Sequence, residues 1–150
     1  MSSPPPPPCS AGRGEVPTPA VGATLTALRP AARGLLSADD FTIVTATLAR
    51  RHPELGRAAA EQRIVEALRF VATMARGGGD GLVPSGPVDA GWHALIGNTA
   101  IYAELCARLG TFVHHYPDVT GAGAPAPGWR KRTTAAIEAA GFDVRRELWT

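Results

Sequence analysis

The chain has 150 residues, 45% of them hydrophobic, which suits one domain with its own core. Fifteen basic against thirteen acidic residues leave a net charge of +2, scattered rather than massed in a stripe, and this excludes a nucleic-acid partner as the leading expectation. No apolar run approaches about 18 residues, so no membrane partner is expected, and MSSPPPPPCS lacks the apolar stretch of a secretory signal. Of the basic residues only Lys131 is lysine, which with the abundance of Ala, Gly and Pro reads as the codon bias of a GC-rich genome. The two cysteines, Cys9 and Cys106, read as reduced thiols of a cytoplasmic protein.

In chain order, residues 1–35 read as a disordered Pro/Gly-rich tail, with Pro4 to Pro8 in polyproline II conformation. Residues 36–150 read as a single helical domain. Ser37 with Asp40 three residues on resembles a capping box, and Phe41, Val44 and Leu48 share the following helical face. Pro53 ends that helix. In AAAEQRIVEALRFVATMAR, Ile64, Leu68, Val71 and Ala75 line one face, widened by Ala67 and Met74. Glu61, Glu66, Arg69 and Arg76 lie off that face. Gly77 to Gly81 forms a loop; it lacks the Gly-Lys-Ser/Thr of a phosphate loop.

Pro87 suits a first helical turn and Asp89 suits the same turn, where the helix dipole favours an acid. Gly97-Asn98 predicts a break, with Asn98 capping the next helix and Gly110 closing it. Residues 121–128 read as a loop, TTAAIEAAG as a short helix and DVRRELW as a last turn. No period-two pattern occurs, so the expected fold is all-α, a compact bundle of four to six short helices. Trp92, Trp129 and Trp149 are expected as core anchors. His52, at a helix end, is expected to complement the dipole.

The chemistry concentrates in the C-terminal half. Asp89 and His93 share a helical face, as do Tyr102 and Cys106 on the next helix. If the two helices pack as a hairpin, FVHHYPD folds back over the gap and brings one of His114 or His115 to Asp89 and His93. Adjacent residues point apart, so both histidines cannot serve one centre. Such a group suits zinc, with His93, His115 or His114, Asp89 and Cys106 as candidate ligands. Acid/base chemistry on a small molecule is the other chemical reading, with Asp89, His93 and His115 as the catalytic set. A buried hydrogen-bond network in a non-enzymatic interaction or accessory module with a protein partner explains the same residues.

The stretch 82–117 resembles the glycine-rich domain-containing protein-like (GRDP-like) family, in a small bacterial stand-alone form. The pattern is carried by Val83, Pro84, Ser85, Val88, Asp89, Trp92 and His93, then by Thr99, Tyr102, Cys106, Gly110, Phe112, His114, His115 and Pro117. The closing TTAAIEAAGFDVRRELWT is similar to the family's last helix and tryptophan. Some members carry a second histidine two residues after the Trp-His pair; here that position is Leu95. The resemblance is weaker over 37–81 and absent before it. It implies a small helical domain and gives weight to the polar cluster, but it implies no activity.

Overall fold

The computed structural model describes residues 31–78, 81–116 and 124–150. Most of the expected tail, with Cys9, therefore lies outside the described residues, as do Gly79, Asp80 and the segment 117–123. The described chain is an all-α bundle without a strand. Its helices are α1 (Ala38–Arg51), α2 (Arg57–Ala75), α3 (Gly86–Gly97), α4 (Thr99–Leu109) and α5 (Trp129–Ala139), with 3-10 turns at Ala32–Leu35 and Arg146–Leu148. Ala32 and Leu36 are core residues, so packing reaches into the end of the segment expected as tail. No described helix is long and apolar enough to cross a membrane.

Helix α1 starts as its sequence dictates. The Ser37 hydroxyl accepts the Asp40 amide N–H at 3.1 Å, and Asp39 and Asp40 sit at the positive end of the dipole. Arg50 and Arg51 occupy the last turn, and Pro53 follows. His52 sits at the C-cap with Nδ1 3.2 Å from the Glu54 carboxylate.

Helix α2 is the axis of the bundle, packing against every other helix and the first 3-10 turn. Being surrounded, it buries Ile64, Ala67, Leu68 and Val71 on one side and Glu66, Phe70 and Thr73 on the other. The expected apolar face is buried, but the expectation fails at Glu66. Glu66 is fully buried, and its carboxylate accepts Trp149 Nε1–H at 2.8 Å, the Arg145 amide at 3.2 Å and Arg69 at 2.7 Å. Three donors compensate a charge that would otherwise be too costly to bury. Glu66 thereby fastens the C-terminal segment to the central helix.

Helix α3 crosses α2 at Gly91. A Cβ there would lie 2.7 Å from the Arg63 carbonyl oxygen and 3.0 Å from the Ala67 Cβ. Only a residue without a side chain permits this approach. Gly91→Ala is therefore expected to destabilise the fold by about 1–3 kcal/mol through overpacking, read by urea denaturation. An unchanged midpoint would mean that α2 and α3 can separate without penalty.

One cap was not anticipated and another differs from expectation. Ser85 caps α3, accepting the Val88 amide at 3.4 Å while its hydroxyl donates to the Leu148 carbonyl. Asn98, expected to cap α4, turns back instead: its Nδ2 donates to Ala94 O at 2.8 Å and to Thr47 Oγ1 at 3.1 Å. The amide satisfies a carbonyl at the end of α3 and ties it to α1 at once. Gly110 closes α4 at φ 87°, a left-handed conformation that glycine adopts without strain. Helix α5 begins at Trp129 rather than near Thr133, with Trp129 half-buried; Trp92 and Trp149 are buried in the core.

Candidate metal centre

The i, i+4 spacing on α3 places Asp89 and His93 one turn apart. His93 Nδ1 lies 3.1 Å from Asp89 Oδ2 and 3.0 Å from the Asp89 backbone carbonyl oxygen. From the segment after α4, His115 Nε2 comes to 2.9 Å from Asp89 Oδ1. One carboxylate thus faces two imidazoles, one through each oxygen, and the two rings sit 4.5 Å apart at their centroids. A ligand atom from each of the three residues lies within 4.8 Å of the others, close enough to bind a metal ion.

The position of His115 follows from what holds its neighbours. Trp92, adjacent to His93 in sequence, points into the core and donates its indole N–H to the Tyr102 hydroxyl at 3.0 Å. Tyr102 in turn donates to the Val113 carbonyl at 2.6 Å. Burial pushes the Tyr102 phenol well above its ordinary range, so it remains a donor at neutral pH. With Val113 fixed, the extended chain alternates: Val113 is buried and His115 half-buried, while Phe112, His114 and Tyr116 face out. The Trp92 ring meets the His115 ring edge-on, 4.4 Å between centroids at 63°. Phe70 packs 5.3 Å behind Trp92, so the site rests on the bundle core.

The three groups differ in access. Side-chain exposure is 49% for His93, 34% for Asp89 and 14% for His115. All three open onto a cleft of about 610 Å³ walled by Met74, Leu82, Val83, Pro84, Tyr116 and Pro125. That size lies within the range of about 300–1,000 Å³ typical of small-molecule sites.

Compared with family models, curated proteins and solved structures, the chain finds no match.

Not every candidate residue joins the centre. Cys106 is buried on α4, and its thiol is not part of the group that converges on Asp89. Tyr102 meets Trp92 and Val113 rather than Asp89, so the two polar pairs of α3 and α4 do not join. The reason is geometric: Tyr102 and Cys106 face the core beside Leu105, whereas Asp89 and His93 face the cleft. His114 lines the cleft, but its ring lies between Phe112 and Tyr116, outside the group of three. The structural roles of Ser85 and Glu66 were missed by pattern reading, as was the hydrogen bond from the buried Trp92 to Tyr102. Phe70, one turn beyond Glu66 on the supposedly polar side of α2, was the available signal that this side is covered too.

Proposed function

We propose that Asp89, His93 and His115 bind one transition-metal ion, zinc by preference, and that the loaded site acts on a small molecule admitted by the cleft. The observation that carries this reading is the approach of three ligand atoms to within 4.8 Å of one another from two separate segments of chain. Ligands around a tetrahedral zinc stand about 3.4 Å apart, so small side-chain rotations bring the group to bonding geometry. Two imidazoles and one carboxylate form a donor set that zinc accepts with a position left open, and iron(II) accepts the same set, so elemental analysis identifies the metal.

When bound, the metal supplies Lewis acidity at the floor of the cleft. The chain supplies the rest. Trp92 closes the side facing the core and keeps water from approaching His115 from beneath. The Trp92–Tyr102–Val113 chain of hydrogen bonds holds the His115 backbone in place before any ligand arrives. In the metal-free protein, Asp89 fixes the tautomers of both imidazoles by accepting from the nitrogen turned toward it, the arrangement that acid/base chemistry requires.

The residues that build the centre and its supports are among those that carry the resemblance to the GRDP-like family, and membership of that family is part of the proposal. Zinc titration by calorimetry tests the metal. One site per chain is expected for the wild type. His93→Gln keeps a polar side chain of similar reach; it is expected to fold with unchanged helicity and to bind zinc at least about tenfold more weakly. Equal binding by both proteins would leave the three residues as a structural hydrogen-bond network in a non-enzymatic module.

A further inference from the structure

We propose that His114 and Tyr116, with Phe112 packed behind His114, form a stacking platform that selects, for the cleft beside Asp89, ligands with a flat, uncharged aromatic ring; the inference rests on the reading of that cleft as a small-molecule site. Three large hydrophobic side chains are exposed among the described residues, and two of them, Phe112 at 50% and Tyr116 at 84%, stand on this one five-residue stretch. An extended chain puts alternate residues on one face, so His114 falls between them. The rings form a row: Tyr102 to Phe112 at 5.5 Å, Phe112 to His114 at 4.8 Å, His114 to Tyr116 at 6.1 Å between centroids. His114 and Tyr116 line the same cleft as Asp89, His93 and His115.

Two properties of the cleft define the ligand. Its remaining wall is apolar, from Met74, Leu82, Val83, Pro84 and Pro125, which favours a hydrocarbon or aromatic body. Among the described residues no lysine or arginine lines it, and Asp89 is the one acidic residue that does. In the metal-free protein a phosphate or carboxylate on the ligand would therefore meet no lysine or arginine from these walls and would be repelled by Asp89. The ring row offers π faces that stack on any planar ring, and a neutral heteroaromatic edge can share hydrogen bonds with Asp89 and His93. The concavity of the site favours a small molecule over a protein surface.

Indole is a suitable probe because it is flat, neutral and a poor metal ligand. Cyclohexanol, comparable in bulk but not aromatic, and indole-3-carboxylate, flat but anionic, are the controls. Titration of the metal-free protein followed by amide chemical shifts is expected to show saturable indole binding at residues 112–116 and around the cleft, at least tenfold tighter than either control. Tyr116→Ser is expected to weaken indole binding at least tenfold while leaving zinc affinity unchanged. Indole bound no better than cyclohexanol, or bound equally well by Tyr116→Ser, would overturn the platform. So would a concentration-dependent dimer that Tyr116→Ser dissolves, since the ring row would then serve self-association. Loss of zinc binding in the wild type with intact indole selectivity would sink the metal and keep the platform, so the two failures are separable.

Discussion

Trp92→Ala is expected to lower the unfolding free energy by about 3–5 kcal/mol, among the largest effects open to a single substitution in this chain. The side chain is 5% exposed, packs against Phe70 and supports His115. Its removal opens a cavity and deprives the Tyr102 hydroxyl of its donor. The damage should not stop at stability. His115 loses the surface that holds its ring, so zinc affinity should fall as well, although Trp92 is not one of the three ligands. Trp92→Phe fills most of the space without the N–H and should be distinctly milder. Urea denaturation reads the first effect and zinc titration the second; a loss below about 0.5 kcal/mol would place Trp92 at the surface.

The second large effect is expected at Glu66. Glu66→Ala strands Trp149 Nε1–H, the Arg145 amide and Arg69 in one step, at a cost of about 3–5 kcal/mol. Glu66→Gln keeps an acceptor oxygen and should lose less. The last residues should loosen first, because Glu66 and the Ser85–Leu148 bond hold them. Ser85 also caps α3, so release of the C-terminus removes a support from the helix that carries Asp89 and His93. Near-ultraviolet circular dichroism of the tryptophans, followed against urea, measures this. Cooperative unfolding of Glu66→Ala at the wild-type midpoint would show that the buried carboxylate carries no net stabilisation.

The contrast between α1 and α2 shows where pattern reading works. Helix α1 is covered on one side, so a single apolar face, a serine cap and a proline stop describe it fully. Helix α2 is exposed near its start, at Arg57, Ala58 and Gln62, but from Ile64 onward it is covered on most sides; Glu66 looked like a solvent residue because its partners Arg145 and Trp149 lie about 80 residues away. The same distance effect governs caps. Ser85 and Asn98 both have the chemistry of N-caps, but Thr47 and Ala94 claim the Asn98 amide, and no local pattern contains Thr47. In the centre, the pairing of Asp89 with His93 was legible from helical spacing. The choice between His114 and His115 was not. Parity along the extended segment is set by the Tyr102 hydroxyl on the Val113 carbonyl, while Phe112 and Tyr116, the larger apolar residues, stay outside against simple hydrophobic expectation.

The most direct test of the metal centre is X-ray absorption at the zinc edge on the zinc-loaded protein. The account predicts a first shell of nitrogen and oxygen at about 2.0–2.2 Å, with imidazole outer-shell scattering from two rings and no sulfur. His115→Gln should remove one ring from that signal. A sulfur neighbour at about 2.3 Å would bring Cys106 into the coordination sphere and contradict the arrangement of Asp89, His93 and His115 as the ligand set. A spectrum of fully hydrated zinc would contradict the centre itself.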